Sequence, residues 1–387
     1  MIRRKRGGIR ATAAAAAAWA LACGFAASPE PGARDWPMYR GAPQLQGAAF
    51  TALPDKLRLL WRFHTEDAVK SSPAVAQGRV FVGSGDGRLY CLEADSGREL
   101  WRFETKGAVD SSPLWLDGKV YAGSSDGRLY ALEASSGKLL WSVETEGEIM
   151  GAPNWAPAPD GKGKRILFGS YDFKLYCLDA ADGRTNWICE TDNYINGAPA
   201  VGGGLVVFGG CDGILHVTRL SDGKQLHQIE AGAYIPGSPA LDGTMAYAGH
   251  YGHAVIAADA RKGVIRWTYS PGHYPFFSSP AIAQGRVLIG CRDRRLHCID
   301  QASGKALWTF RARNKVDGAA VVCGNKVVFG ASDGRLYIVE LQSGRLLWQT
   351  EIGEGIESSP AVAAGRIYIG ANDGTLYCFG AGAPRRP

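Results

Sequence analysis

The chain has 387 residues, and its 52 glycines and 11 tryptophans suit a protein of short strands joined by tight turns. Its formal net charge of +6 comes mostly from residues 1–22, which hold five basic residues and no acidic one. The remaining residues, with 38 basic and 37 acidic side chains, are almost neutral, which excludes the electrostatic footprint of a nucleic-acid-binding protein.

The N-terminal segment is typical of an export signal. An Ala-rich apolar run over residues 11–22 is too short to span a bilayer and follows a basic region formed by Arg3, Arg4, Lys5, Arg6 and Arg10. We therefore expect residues 1–22 to be a signal peptide, with cleavage near 22–27, and the protein to be exported to the periplasm or cell envelope. Cys23 directly follows the cleavage site and is a candidate for lipidation, although Ala20 and Leu21 fit a lipoprotein signal poorly.

Residues 28–56 form a Pro- and Gly-rich lead-in that contains DWPMYRGAPQLQG (35–47). The segment has turn-forming residues but no strand period. We expect an ordered strap that lies on the body of the protein.

From residue 57 onward, one phrase returns about every 40 residues. In LEADSGRELW (92–101), a polar turn built on Ser96-Gly97 lies between two apolar runs and ends at a tryptophan. His227 takes this position in one copy, and the others have Trp61, Trp101, Trp141, Trp187, Trp267, Trp308 and Trp348. The spacings are 40, 40, 46, 40, 40, 41 and 40 residues. A fixed period of about 40–45 residues with several short strands per unit is typical of a β-propeller.

Each unit divides into four strands. In the first unit they are SSPAVA (71–76), RVFVGS (79–84), RLYCLEA (88–94) and RELWRFE (98–104). Eight inner strands are marked by Pro73, Pro113, Pro153, Pro199, Pro239, Pro280, Ala320 and Pro360. The last unit stops after its third strand, GTLYCF (374–379), while LRLLWRF (57–63) is a fourth strand without a unit.

We therefore predict an all-β protein in which residues 57–380 form one eight-bladed propeller of four-stranded antiparallel blades. The N-terminal strand completes the last blade and closes the ring, which hides sheet edges that would otherwise pair with other chains. Residues 381–387 are a tail.

The cysteines do not predict a disulfide framework. Cys91, Cys177, Cys298 and Cys378 occupy the same strand position in different units, and no pair has zinc-like CxxC spacing. We interpret them as small buried strand residues.

Ala94, Asp95, Gly97 and Trp101 resemble the tryptophan-docking motif of the PQQ-type eight-bladed β-propellers, with a shorter spacing from Asp95 to Gly97. The resemblance covers roughly residues 35 to 380. It implies that the tryptophans are structural and pack against the neighbouring blade. The family includes quinoprotein alcohol dehydrogenases, the BamB lipoprotein of the outer-membrane assembly machine, and exported propellers without an assigned activity.

Positions at which the repeats disagree are candidates for function. The turn between the second and third strands ends in Asp-Gly in five units but reads GSYDFK (169–174), GHYGHA (249–254) and GCRDRR (290–295) in three. The connections DNYINGAP (192–199) and GHYPFFSSP (272–280) depart in the same sector. We predict a partner-binding face formed by Tyr171, Phe173, Tyr194, Tyr234, Tyr251, Tyr274, Phe276, Phe277, Arg292 and Arg294. The alternative is that these side chains fill a wide gap in the ring or pack on the strap.

Two smaller sets of residues are weaker candidates. His250, His253 and His273 lie in the same sector and have the chemistry of zinc or copper ligands, but no carboxylate partner is obvious nearby. Lys70, Asp110, Asp317 and Glu357 precede the inner strands at equivalent positions, and we expect them to line an axial funnel, either as solvated side chains or as a site for an ionic ligand.

The sequence disfavours catalysis, and we predict no catalytic residue, no metal and no cofactor. The resemblance implies that a quinoprotein dehydrogenase would bind PQQ and Ca²⁺ on the axis. This chain lacks the adjacent cysteine pair and the long insertions of the alcohol dehydrogenases, and it has no nucleophile elbow, P-loop or HExxH motif.

We therefore expect a monomeric, non-catalytic scaffold, similar to BamB, that holds a protein partner in the cell envelope. The resemblance makes the outer-membrane assembly machinery the candidate partner. The alternatives are a PQQ-dependent oxidoreductase and a carbohydrate- or polymer-binding envelope protein.

Overall fold

The computed structural model describes residues 35–382. The predicted signal peptide, the candidate lipidation site Cys23 and the last five residues of the tail lie outside this range. Within it the chain forms eight antiparallel blades, seven as four-stranded sheets and one as a sheet with an additional fifth strand. The predicted eight-bladed β-propeller is confirmed.

The blades are numbered in chain order, each from its inner to its outer strand. The inner strands are β3 (Ala74–Ala76), β7 (Leu114–Leu116), β11 (Asn154–Pro157), β15 (Ala200–Gly202), β19 (Ala240–Asp242), β23 (Ala281–Ala283), β27 (Val321–Cys323) and β31 (Ala361–Ala363). The second strands are β4 (Arg79–Gly83), β8 (Lys119–Gly123), β12 (Lys164–Gly169), β16 (Leu205–Gly209), β20 (Met245–His250), β24 (Arg286–Cys291), β28 (Lys326–Gly330) and β32 (Arg366–Gly370).

The third strands are β5 (Arg88–Glu93), β9 (Arg128–Glu133), β13 (Lys174–Asp179), β17 (Ile214–Arg219), β21 (Ala254–Asp259), β25 (Arg295–Asp300), β29 (Arg335–Glu340) and β33 (Thr375–Gly380). The fourth strands are β6 (Glu99–Glu104), β10 (Leu139–Glu144), β14 (Thr185–Glu190), β18 (Gln225–Glu230), β22 (Val264–Tyr269), β26 (Ala306–Arg311), β30 (Leu346–Glu351) and, in blade 8, β2 (Arg58–His64). No helix of residues 35–382 is long and apolar enough to cross a membrane.

Both ends of the chain build blade 8, as predicted. The N-terminal strand β2 pairs antiparallel with β33, and Trp61 lies opposite Cys378. On the axis, the Ser359 N–H donates to Ser72 Oγ at 2.8 Å and so joins blade 8 to blade 1. The ring is therefore closed by hydrogen bonds at the axis as well as in the sheet.

Residues 35–56, the described part of the strap, lie along the inner strands. Trp36 forms an antiparallel bridge with Val75, and β1 (Ala48–Ala49) pairs in parallel with β27. Strap carbonyl oxygens accept hydrogen bonds from the inner strands of six blades, in the pairs Trp36–Val75, Pro37–Trp115, Pro43–Val201, Gln44–Leu241, Gln46–Ile282 and Gly47–Val322. The strap thus satisfies backbone donors that an open axial channel would leave to water.

Arg40 anchors the strap inside the ring. Its side chain is buried, and its two Nη atoms donate to the carbonyl oxygens of Ala320 at 2.5 Å and Pro280 at 2.7 Å. Burial lowers the pKa of Arg40 to about 10. One guanidinium therefore connects the strap to the inner ends of blades 6 and 7.

The repeated tryptophans connect neighbouring blades. Trp61 Nε1 donates to the Ala94 carbonyl oxygen at 3.1 Å, and its ring lies against Gly97 of the next blade. Gly97 has a φ of +72°, and a Cβ there would lie 2.5 Å from the indole. Equivalent hydrogen bonds of 3.0–3.1 Å are made by Trp101, Trp141, Trp187, Trp267 and Trp308. The glycine of the repeated phrase is thus required both for the turn and for the indole that packs on it.

The eight cysteines of residues 35–382 are free thiols. Burial raises the pKa of Cys91, Cys177, Cys298 and Cys378 to about 12, so all four are protonated at neutral pH.

Candidate partner-binding face

The turns between second and third strands lie on the same side of the ring as the connections between blades, and we call this side the upper face. Each turn pairs with the connection that precedes its blade. For example, Tyr171 N–H donates to the Glu148 carbonyl oxygen and Tyr251 N–H donates to that of Tyr234. These backbone hydrogen bonds set the spacing between the two kinds of loop whose sequences depart from the repeat.

In blades 3 and 4 three aromatic side chains form one cluster. The ring of Tyr194 lies 4.8 Å from that of Tyr171 and 5.2 Å from that of Phe173, measured between centroids. Tyr194 is 44 % exposed. The cluster therefore holds its shape through ring contacts and still presents apolar surface to solvent.

A second cluster continues across blades 4 to 6. Tyr251 lies 6.0 Å from Tyr234 and 5.7 Å from Phe277, and the Arg292 guanidinium lies 3.4 Å from the centroid of Phe277. Tyr234 is 54 % exposed, and Tyr274, in the same connection as Phe277, is 56 % exposed. We call the two clusters and Tyr274 together the aromatic sector.

Phe276 was predicted to belong to this face, and that prediction is wrong. Its side chain is fully buried and packs 5.3 Å from the His297 ring. In the other connections the equivalent position holds an aliphatic residue that is also fully buried, namely Val69, Val109, Ile149, Ile195, Ile235, Val316 and Ile356. Phe276 is thus the blade 6 member of a core ring, and Phe277 alone faces the axis.

Three side chains of the upper face are held in a left-handed backbone conformation. Phe173, His253 and Arg294 have φ of +70°, +70° and +71°. In the other five blades this turn position is a glycine with φ between +73° and +83°, at Gly87, Gly127, Gly213, Gly334 and Gly374. A side chain at such a φ costs about 1–2 kcal/mol. The three exceptions coincide with the three turns that the sequence comparison selected.

The three candidate histidines do not come together as a metal site. His250 is buried and its Nδ1 accepts the Gly252 N–H at 3.1 Å, while the rings of His253 and His273 lie 6.3 Å apart. Burial, with a smaller contribution from His253, lowers the pKa of His250.

Among residues 35–382 the one metal-ligand set that closes within 4.8 Å is Cys291, Asp293 and His297, which the sequence reasoning missed. Comparison of the repeats could have found this set. In most blades a tyrosine of the third strand bonds to the turn aspartate, as Tyr90 does to Asp86 at 2.7 Å, and in blade 6 His297 takes the place of that tyrosine. We interpret the His297–Asp293 contact as the structural equivalent of the Tyr90–Asp86 hydrogen bond, and not as a metal site.

The predicted funnel is a shallow cup on the axis. Lys70, Asp317 and Glu357 line a cavity of about 180 Å³ whose wall includes Tyr39 of the strap. Asp317 accepts both hydrogen bonds of the Arg292 guanidinium at 3.1 Å and lies 2.8 Å from Lys315 Nζ.

Asp110 does not line this cavity. Burial raises the pKa of Asp110, and the nearby positive charge of Lys70 offsets part of this increase. Its Oδ1 has no hydrogen-bond partner in the described part of the chain.

The cup suits pyrroloquinoline quinone poorly. This quinone carries three carboxylates, whereas the charged lining consists of two carboxylates and one lysine. Arg292 and Lys315 do not line the cup and pair with Asp317. Without a bound cation, Lys70 alone would face three carboxylates, and the uncompensated negative charge in the cup is disfavoured.

Comparison with known proteins agrees with this architecture. The family model described as outer membrane protein assembly factor BamB matches residues 54–161, 150–270 and 232–386. No curated protein matches the chain.

Three solved structures share the fold at low identity. BamB from Moraxella catarrhalis is 18 % identical, with a TM-score of 0.70 over 86 % of this chain and 100 % of that one. Quinohemoprotein alcohol dehydrogenase from Comamonas testosteroni is 16 % identical, with a TM-score of 0.76 over 92 % and 82 %. The computationally designed Ika8 protein is 18 % identical, with a TM-score of 0.73 over 87 % and 99 %. With matches that span almost the whole propeller, the chain belongs to the BamB family of PQQ-like eight-bladed β-propellers.

Proposed function

We propose that this protein is an exported, non-catalytic scaffold that uses its aromatic sector to hold a protein partner in the cell envelope, as BamB-type proteins do in outer-membrane protein assembly. The observation that carries the proposal is the aromatic sector itself. Half-exposed tyrosines beside an arginine on a rigid support are the composition of protein interfaces.

Two further observations support a scaffold. The three left-handed side chains lie on the same side of the ring as the aromatic sector, which indicates that these residues are kept there at a cost to stability. The axial cup, where the dehydrogenases of the fold would be expected to hold their quinone, has an acidic lining and a strap residue in its wall.

The test is cross-linking in intact cells, comparing the wild-type protein with a variant that carries Tyr194→Ala, Tyr234→Ala and Tyr274→Ala. We expect the variant to fold, because these side chains are exposed, and to lose its envelope partner. A matched control carries Leu140→Ala, Leu307→Ala and Leu347→Ala on the outer strands and removes a similar exposed apolar area elsewhere. Equal partner capture by both variants would show that the aromatic sector is not the binding site.

A second candidate function is carbohydrate or polymer binding, since exposed tyrosine rings also serve as stacking platforms for sugars. A sugar array probed with the wild-type protein and the triple tyrosine variant separates the two functions. A dye-linked alcohol oxidation assay with added quinone and Ca²⁺ tests the oxidoreductase alternative, for which we expect no turnover.

A further inference from the structure

A basic groove lies beside the aromatic sector, between blades 6 and 7 on the upper face. Its volume is about 640 Å³, and its lining includes Tyr274, Arg292, Arg294, Arg311, Asn314 and Lys315. The one acidic residue in the lining, Asp293, already contacts His297 Nε2 at 3.1 Å.

Part of the positive charge of this groove comes from an arginine at a position where other blades have a glutamate. In blades 1, 2, 3 and 7 the first residue of the third strand is basic and lies opposite a glutamate at the end of the fourth strand, as with Arg88 and Glu104. In blade 6 the corresponding pair is Arg295 and Arg311. Two like charges in directly opposed positions destabilise a sheet. Arg311 therefore lowers the stability of blade 6, whereas a glutamate at this position would raise it.

Two of the groove's cations have no internal counter-ion. Arg292 and Lys315 share Asp317, but Arg294 and Arg311 are exposed and form no ion pair within residues 35–382. Arg294 is also the side chain held at a φ of +71° where five other blades have glycine. Both arginines therefore lie at positions where the repeat favours another residue for stability.

Three other connections on the upper face carry more acidic than basic residues. The connections before blades 1, 3 and 8 carry acidic residues at Glu66, Asp67, Glu146, Glu148, Glu354 and Glu357. This distribution concentrates positive potential in one groove, whereas a membrane-binding or nucleic-acid-binding surface needs a broad basic area.

We propose that the basic groove binds an acidic peptide segment of the partner, whose carboxylates pair with Arg294 and Arg311. This inference rests on the proposed function and specifies the chemistry of the partner. The exposed ring of Tyr274 belongs to both the groove and the aromatic sector, so one extended segment reaches both surfaces.

The test measures binding of a fluorescein-labelled hexaglutamate peptide to the purified protein by fluorescence anisotropy at low and physiological salt. The informative variant is Arg311→Glu. It restores the basic–acidic pair of the other blades with Arg295, so the fold should be preserved or stabilised. We expect it to weaken peptide binding by about tenfold or more.

Lys106→Glu is the matched control, because it makes the same charge change on the upper face in the connection before blade 2, away from the groove. We expect its affinity to stay within about twofold of wild type. Equal weakening by the two variants, or binding of hexalysine as tight as that of hexaglutamate, would overturn the inference. So would a preference for phosphatidylglycerol vesicles over the peptide.

The outcome also separates this inference from the proposed function. If Arg311→Glu leaves cellular cross-linking intact while the triple tyrosine variant abolishes it, the scaffold stands and the acidic segment is refuted. If Arg311→Glu weakens both hexaglutamate binding and cellular cross-linking while the triple tyrosine variant leaves cross-linking unchanged, the groove is supported and the aromatic sector fails as the binding site of the proposed function.

Discussion

His227 takes the docking position of a tryptophan and packs on Gly263 of the next blade. Its Nε2 lies 3.0 Å from the Arg261 carbonyl oxygen, and a Cβ on Gly263 would lie 2.5 Å from its Nδ1. The interface between blades 4 and 5 thus keeps the docking hydrogen bond but has a smaller ring than its neighbours. We expect His227→Trp to raise the free energy of unfolding by about 1 kcal/mol, because the larger ring buries more apolar area. Urea denaturation measures this, and Trp187→His, one blade earlier, should produce a loss of similar size. Destabilisation by His227→Trp would mean that this gap is too narrow for an indole.

Glycine in the docking turn is needed for two reasons that a matched pair of variants separates. Gly97 and Gly78 have nearly the same φ, +72° and +71°, but only a Cβ at Gly97 would meet a neighbour, the Trp61 ring at 2.5 Å. Gly78→Ala should cost about 1 kcal/mol from backbone strain alone. Gly97→Ala should cost about 2–4 kcal/mol, because the indole must also move. Equal losses in thermal or urea unfolding would rule out the packing contribution.

We expect Arg294 to lower the free energy of unfolding of the protein and to contribute to the binding of acidic peptides. Arg294→Gly relieves the left-handed strain and is expected to raise the free energy of unfolding by about 1 kcal/mol, while weakening hexaglutamate binding. The control is Arg313→Gly, an exposed arginine in the next connection with no positive φ, which should lower stability by about 0.5–1 kcal/mol. If both variants lose stability, the left-handed turn is not strained.

Arg40 should be essential for the attachment of the strap. Arg40→Met leaves the buried carbonyl oxygens of Ala320 and Pro280 without a donor, which we expect to cost about 3 kcal/mol. Arg40→Lys keeps the charge but lacks the planar fork that reaches both oxygens, and its loss should be intermediate. Limited proteolysis reports on the strap directly, and cleavage within residues 35–56 should appear earlier for Arg40→Met. Unchanged proteolysis would contradict the anchoring role.

His250 should make stability depend on pH below about 6.5. Since burial lowers its pKa in the folded state, the unfolded chain binds the proton more tightly, and stability falls as pH decreases through about 6.5. Asp212 and Asp293 have pKa values below the usual 3.8, so their contributions are lost only at lower pH. We expect His250→Ser to flatten the decrease in unfolding free energy between pH 7 and pH 5.

The substitution has a precedent in the chain, because Ser84, Ser124 and Ser170 hold the equivalent position in blades 1 to 3. Measurement at pH 8 gives the packing cost of His250→Ser separately from its titration. A slope that matches wild type between pH 7 and pH 5 would exclude His250 as the cause.

The fold was predictable because the repeat has a nearly constant length along the chain. Six of the seven repeated tryptophans pack on the glycine of the following copy, so equal spacing in sequence becomes equal spacing around the ring. The pairing of β2 with β33 was predictable for a related reason, since one unit lacked a fourth strand and one strand lacked a unit.

The candidate face was only partly predictable. Comparison of the repeats located the aromatic sector but placed Phe276 on the surface, because the extra residue in that connection hides its alignment with the buried Val69 and Ile235. The contact of Arg292 with Asp317 joins two blades. It occurs once in the ring, so comparison of the repeats could not predict it. The course of the strap was not predictable either, since it occurs once and is shaped by the inner strands that it bonds.

The position of the strap also constrains how the protein reaches its native state. Arg40 bonds to Ala320, 280 residues later, and His64 Nδ1 lies 2.8 Å from Thr375 Oγ1, 311 residues later. Contacts of such sequence separation form slowly, because a long loop must close before they contribute. While the chain is being made, the strap and the first blades exist before blades 6 and 7, which anchor Arg40, and before β33, which pairs with β2. Assembly should therefore be late and cooperative, and a chain that stops one blade short should be a substrate for chaperones and proteases rather than a smaller working propeller.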